Sequence, residues 1–108
     1  MPSAPASTTR SVSSLWPALV LFALCSGCGP VRYLRSIHAA EVRMDAAREA
    51  NARWQAPYEY YFAEAQYEQA RLEAAEASYE DAIRYADTAQ EYAARALRIT
   101  ARKQQEEP

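Results

Sequence analysis

Alanine recurs every three or four residues along the last third of the chain, and this spacing limits the fold more than any other feature. The positions on this face are Tyr79, Ala82, Ala86, Ala89, Ala93, Ala96 and Thr100. An alternation of four and three returns to one face of an α-helix, and alanine has the highest helix propensity of all residues. We therefore predict a long helix over residues 79–103 whose alanines lie on the buried side.

A similar spacing predicts a first helix over residues 31–54. Its apolar face consists of Tyr33, Ile37, Ala40, Met44, Ala47, Asn51 and Trp54. Pro57 disfavours helical geometry at Ala56 and suits the first position of a new helix, so a second helix is predicted over residues 57–75. This second helix carries two apolar faces, and we expect it to be the middle helix of the fold.

The break between the second and third helices has a weaker signal, since neither Gly nor Pro lies between Ala74 and Tyr79. Ser78 followed by Asp81 resembles a capping box, which marks a helix start. With this break, the prediction is an all-α fold, a small antiparallel three-helix bundle covering residues 31–104 with a frayed tail at 105–108. Without it, residues 57–103 form one helix, and the fold is a long two-helix hairpin.

The composition of the helical region predicts a thin core. From Cys28 onward there are 20 alanines but only 10 Val, Leu, Ile, Met or Phe residues. Alanine buries little area, so we expect stability to depend on the larger side chains together with several tyrosines. The expected core residues are Ile37, Met44, Trp54, Phe62, Leu72, Ile83 and Leu97.

A short apolar run over residues 15–24 follows a polar start that contains Arg10. About ten residues are too few to span a bilayer, which takes roughly 20, but they are typical of a signal peptide. The run ends in Leu24, Cys25, Ser26, Gly27 and Cys28, which resembles the lipobox of bacterial lipoproteins. Ser26 and Gly27 match its two small positions and Cys28 its lipidated cysteine. Cys25 stands where Leu is usual, and Leu24 lies one step earlier.

The lipobox resemblance implies that residues 1–27 form a lipoprotein signal peptide and residues 28–30 a lipidated anchor. The mature chain would then have 81 residues and a net charge of −3. Diacylglycerol and acyl chains on Cys28 would be its only attached groups, with no cofactor expected. Gly29 stands where Asp signals inner-membrane retention in enteric bacteria, which favours the periplasmic face of the outer membrane. An uncleaved membrane anchor, a disulfide and a metal half-site formed by Cys25 and Cys28 are the alternatives.

The distribution of charge and the lack of catalytic motifs limit the classes of function that we expect. The 12 Lys and Arg residues are interspersed with 14 Asp and Glu residues, whereas a nucleic-acid partner calls for a basic face. The sequence has no glycine-rich phosphate loop, nucleophile with a base or cluster of metal ligands, so we do not expect an enzyme. A bland surface or packing role is expected for His38.

The tyrosines are the remaining candidates for a binding surface. The cluster of Tyr58, Tyr60, Tyr61 and Phe62 is expected to fill the corner between the first two helices and to stack against Trp54. The alternative is an interaction surface, predicted at Tyr58, Tyr60, Tyr61 and Tyr67, because Tyr is favoured at interfaces. The expected function is a non-catalytic scaffold or adaptor that binds the membrane through its lipid and binds another envelope protein or itself. The alternative function is a small-molecule or metal-binding envelope module.

Three segments together resemble a known family. They are Cys28-Gly29-Pro30, the Ala-Pro-Tyr-Glu-Tyr run at residues 56–60, and the Tyr-Glu-Asp-Ala-Ile-Arg-Tyr-Ala run at residues 79–86. Nearly the whole mature chain resembles the short bacterial lipoproteins of the DUF4398 (domain of unknown function) family. The last helix also resembles the second helix of a tetratricopeptide repeat, with Tyr79, Ala82 and Ala89 at matching spacing. The family resemblance implies a helical envelope protein without an established reaction, and it adds no site residues.

Overall fold

The computed structural model describes residues 15–22 and 28–107. Their helices, in chain order, are α1 (residues 15–22), α2 (Cys28–Glu49), α3 (Ala52–Gln55), α4 (Pro57–Ala75) and α5 (Tyr79–Glu106). Helix is the only regular structure in these residues, which confirms the all-α prediction. The side chains of α1 are exposed. Within the described part of the chain, no helix is both long enough and apolar enough to span a bilayer.

The first predicted helix ends earlier than its spacing indicates, at Glu49 rather than Trp54. Asn51 adopts the left-handed conformation with φ 68°, and its N–H donates to the Arg48 carbonyl at 3.1 Å. Asn tolerates this region better than other residues with a side chain, so the helix stops here without glycine. The break changes the register, which leaves Trp54 73% exposed, whereas Ala52 is buried in its place.

The break between α4 and α5 lies where the sequence predicts it, so a single helix over residues 57–103 is wrong. Ala77 has a φ of 62°. The Ser78 N–H donates to the Glu73 carbonyl at 2.9 Å, and the Ala77 N–H donates to the Ala74 carbonyl at 3.0 Å. This is a Schellman motif, with Ala in the position that glycine usually takes.

The capping box expected at the start of α5 does not form. Ser78 is the residue before the first turn, but its side chain makes no capping hydrogen bond. The Asp81 carboxylate instead accepts a hydrogen bond from the Arg84 guanidinium, one turn further along. The end of α4, rather than a cap on α5, therefore sets this break.

The middle helix is α5, not the second helix that the sequence analysis places there. It packs along both α2 and α4, which contact each other over a much shorter stretch. The buried residues of α5 are Ala82, Ala86, Ala89, Ala93, Ala96 and Thr100, so the predicted alanine face is confirmed. Because these side chains are small, the face lets two neighbouring helices approach closely.

Two clusters fix the directions of the helices. Met44, Ala63 and Ala93 share one of them. Ala47, Tyr60 and Ala96 belong to the other, together with Ala52 and Ala56. From the first cluster to the second, the residue number rises by three in α2 and in α5 but falls by three in α4. The helix α2 therefore runs parallel to α5 and antiparallel to α4.

Alanine forms most of the core, contrary to the expectation that larger side chains do. Among the described residues, 11 of the 13 buried hydrophobic residues are alanine, and the others are Met44 and Tyr60. Of the larger side chains expected in the core, only Met44 is buried. Leu72 is 60% exposed and Trp54 is 73% exposed. The other four, Ile37, Phe62, Ile83 and Leu97, are half-buried. Methyl groups therefore fill most of the space between the helices, and most of the larger side chains lie at the edges of these interfaces.

Candidate anchor site and interaction surface

Cys28 is the first residue of α2, and its side chain is exposed. The predicted signal-peptidase recognition residues, Leu24, Cys25, Ser26 and Gly27, lie outside the described residues. Residues 28–30, expected as a separate anchor, form the first turn of α2 instead. A group attached to the Cys28 sulfur would therefore be joined to the helical domain without an intervening loop.

Packing against α5 holds the first turn of α2 in place. Gly29 faces Tyr79: a Cβ added to Gly29 would lie 3.5 Å from the Tyr79 Cβ, which is an ordinary van der Waals distance. One turn further on, the ring centroids of Tyr33 and Tyr79 are 6.2 Å apart at an interplanar angle of 46°. Burial raises the pKa of Tyr33. Cys28 is thus fixed at one end of the helical domain, beside the start of α5.

Two open clefts lie on either side of Tyr79 at this end. The first has a volume of about 320 Å³ and is lined by Gly29, Arg32, Tyr79, Glu80 and Ile83. The second has a volume of about 400 Å³ and is lined by Pro30, Tyr33, Leu34, Arg71, Ala74, Ala75 and Tyr79. The second cleft shows that the Cys28 end of α2 adjoins the C-terminal end of α4. Both clefts place an arginine next to the exposed Cys28 end.

The four tyrosines predicted as an interaction surface separate into two groups. Tyr58 is 67% exposed and Tyr61 is 51% exposed. Tyr60 is only 3% exposed, and its hydroxyl accepts a hydrogen bond from the Arg48 Nε at 3.3 Å. Tyr67 is half-buried against the cluster around Met44, and burial raises its pKa. Tyr60 is therefore a core residue and not part of a surface, while Tyr58 and Tyr61 are available to a partner.

Neighbouring rings support the two exposed tyrosines from behind. Tyr58 stacks on Phe62, with centroids 6.0 Å apart and an interplanar angle of 22°. Tyr61 meets the buried Tyr60 edge-on, with centroids 5.3 Å apart. Phe62 in turn packs against Tyr92 of α5, with ring centroids 4.3 Å apart. The predicted stacking of this cluster against Trp54 is replaced by packing between α4 and α5.

The structure also shows an exposed stripe, apolar at every position except Glu68, that the sequence analysis missed. The α4 stripe consists of Tyr58, Tyr61, Ala65, Glu68, Leu72 and Ala75, which are all exposed. These positions alternate by three and four residues and lie opposite the buried Ala63 and Ala70. The spacing was visible in the sequence, but Leu72 was assigned to the core, because a large aliphatic residue on a helix usually faces inward.

Metal ligands do not gather in the described part of the chain. There, no group of three or more His, Cys, Asp or Glu side chains could hold a metal ion. His38 is exposed on α2, and the bland role expected for it stays a prediction.

Comparison of the chain with protein-family models, with curated proteins and with solved structures finds no match. The resemblances to the DUF4398 family and to the tetratricopeptide repeat stay predictions.

Proposed function

We propose that this protein is a lipoprotein of the bacterial envelope that acts as a non-catalytic helical scaffold or adaptor. Residues 1–27 are its signal peptide, and Cys28 carries the lipid. The helical domain is an antiparallel three-helix bundle of α2, α4 and α5 on the periplasmic face, in the outer membrane. The observation that carries the proposal is the position of Cys28, exposed at the first residue of α2 and directly after a lipobox-like segment.

The surroundings of Cys28 suit a membrane anchor. Because α2 begins at Cys28 and its first turn packs on Tyr79, acyl chains at this position would hold the bundle end close to the headgroups. Arg32 and Arg35 are exposed on the first two turns of α2. A basic side chain near an anionic membrane surface contributes about 1 kcal/mol to binding. The anchor and these two arginines therefore act on the same end of the domain.

The α4 stripe supports the adaptor function. Exposed Tyr and Leu side chains at helical spacing are typical of protein interfaces, in which aromatic residues are enriched. Tyr58 and Tyr61 are supported by the rings behind them, so little side-chain freedom is lost on binding. Anchoring to a membrane also raises the effective concentration of partners on that surface. A weak contact at this stripe can then be sufficient in the cell.

The anchor is tested by fractionating cells that express the full chain, the Cys28→Ala variant and the Cys25→Leu variant. We expect wild type in the membrane fraction and C28A outside it or unprocessed. C25L restores the usual lipobox residue, so it serves as the matched control and should stay in the membrane fraction. Normal processing and membrane retention of C28A would overturn the anchor.

The adaptor function is tested by affinity capture from detergent-solubilised membranes. We expect proteins that co-purify with wild type to be lost with Tyr61→Glu and retained with Asp87→Arg, which changes an exposed residue on α5. Capture that is indifferent to Y61E would contradict the role of the α4 stripe. A rise in Tm with divalent metals or envelope ligands would instead favour the small-molecule or metal-binding alternative, since ligands stabilise the state they bind.

A further inference from the structure

The α4 stripe lies on the face of α4 that points away from the rest of the domain. The opposite face, with Ala63 and Ala70, is buried. We propose that a second copy of this chain covers the stripe, with α4 pairing against α4 in antiparallel orientation about a two-fold axis. This inference rests on the proposed adaptor function and names the partner of its surface.

The pattern of the stripe is that of a coiled-coil seam. Its six positions alternate by three and four residues over 18 residues, a length of roughly 25 Å. The outward face of α5 has the same spacing but is charged, with Glu80, Arg84, Asp87, Glu91 and Arg98 exposed. Val31, Leu34 and Val42 of α2 are also exposed apolar residues. The row of mostly apolar residues at this spacing on α4 indicates a helix as its partner, because a helix presents the matching seam.

Antiparallel pairing places large side chains against complementary ones. With the centre of the pair between Ala65 and Glu68, Tyr61 meets Leu72 of the second copy. Tyr58 meets Ala75 of the second copy, and Ala65 meets its Glu68. The two-fold axis repeats each of these contacts, so one complementary match is used twice.

Charge also favours the antiparallel arrangement. Glu64 and Arg71 are exposed and seven residues apart along the same edge of the stripe. In the antiparallel pair, Glu64 of each copy lies beside Arg71 of the other, which gives two intermolecular ion pairs. The Arg71–Glu68 contact within one chain, 3.4 Å and exposed, is compatible with this arrangement. In a parallel pair, Glu68 would instead face Glu68 of the second copy, and like charges repel.

The pairing has a geometric consequence for the anchor. The start of α2, where Cys28 lies, adjoins the C-terminal end of α4, because Pro30 lines one cleft together with Ala74 and Ala75. Antiparallel α4 helices therefore place the two Cys28 residues at opposite ends of the pair. Both acyl chains reach one bilayer when the helices lie along its surface.

Position-specific cross-linking tests the orientation. The full chain is prepared with Cys25→Ser and Cys28→Ser in mild detergent, so that introduced cysteines are the only thiols and acylation plays no part. Differently tagged Tyr61→Cys and Leu72→Cys chains are mixed and oxidised. We expect a disulfide between Y61C and L72C in clear excess over Y61C with itself. Asp87→Cys, an exposed control on α5, should give no cross-link above background.

Charge reversal tests the same geometry by an independent measurement. Exposed ion pairs are individually weak, but Glu64→Arg replaces two attractive pairs with two repulsive ones, so we expect the dimer Kd to rise about tenfold in sedimentation equilibrium. Adding Arg71→Glu to E64R reverses both charges and should restore the wild-type Kd. Helicity measured by circular dichroism should be the same in all variants, since both positions are exposed.

A dimer that cross-links through Y61C with itself would overturn the antiparallel arrangement, as would a failure of R71E to rescue E64R. A chain that is monomeric at all concentrations would overturn the second copy as partner. None of these three results affects the test of Cys28 as an anchor, because the cysteine-free chain carries no lipid. Failure of this inference is thus distinguishable from failure of the proposed function.

Discussion

Enlarging one alanine at the meeting point of three helices tests whether the alanine core is close-packed. Ala93 of α5 is almost completely buried and belongs to the cluster that contains Met44 of α2 and Ala63 of α4. Ala93→Leu adds three carbon atoms at this point. Neither of the two clefts beside Tyr79 is lined by Ala93, so they offer these atoms no space.

The magnitude depends on whether any space exists there. If the three carbons fitted into a void, their burial would stabilise the fold by about 0.8 kcal/mol each, roughly 2.4 kcal/mol in total. In a close-packed core, extra methylene groups force side chains and backbone apart and destabilise by about 1–3 kcal/mol. The closely packed alanine face of α5 predicts the second case. We expect a loss of about 2 kcal/mol, which lowers the Tm of a domain of this size by about 8–16 °C.

The assay is thermal unfolding followed by the circular dichroism signal of the helices, with Ala101→Leu as the matched control. Ala101 lies on the same helix but is exposed, so it reports the small difference in helix propensity without the packing effect. A101L should change the Tm by no more than a few degrees. An A93L variant as stable as A101L, or more stable than wild type, would refute the reasoning, because it would show unfilled space between the helices.

Three further substitutions test the account: two are expected to stabilise the fold, and the third to change how its stability depends on pH. Ala77→Gly should raise the free energy of unfolding by up to about 1 kcal/mol in a denaturant titration, since Ala77 has a φ of 62° that glycine adopts without strain; an unchanged or lower midpoint would contradict this. Thr100→Val should also stabilise, by about 1 kcal/mol, because the buried Thr100 hydroxyl has no hydrogen-bond partner among the described residues; a lower Tm would show that the hydroxyl contributes to stability. Burial raises the pKa of Tyr67 above its ordinary value of 10.0, so the neutral form stabilises the fold below that pH, and this contribution is lost as the pH rises through the higher pKa of the folded state. Tyr67→Phe should therefore flatten the fall in Tm above about pH 10, and an unchanged pH profile would count against the burial of this ring.

Helix positions could be predicted from the sequence wherever one spacing continued without a break. The alanine face of α5 and the start of α4 at Pro57 are examples, and both are confirmed. The end of α2 could not be predicted, since Asn51 continues the apolar spacing while its backbone leaves the helix. A left-handed Asn depends on packing that brings Ala52 into the core, and a one-dimensional pattern does not contain that information.

Side-chain burial was harder to predict than helix position. Large residues such as Trp54 and Leu72 are expected inside, but the break at Asn51 turns Trp54 outward, Leu72 lies on the outer face of α4, and alanines occupy the interfaces. The same reversal hid the α4 stripe, because a core of small residues leaves some large ones on the outer face. Of the four candidate tyrosines, the sequence could not distinguish the buried Tyr60 from the exposed Tyr61, since adjacent residues on a helix point about 100° apart and the choice depends on where α5 packs.

Mass spectrometry of the N-terminal peptide from membrane-purified protein tests the central claim most directly. We expect a peptide that begins at Cys28, carries diacylglycerol on the Cys28 sulfur and lacks residues 1–27. A peptide in which residues 15–27 are still joined to an unmodified Cys28 would contradict it.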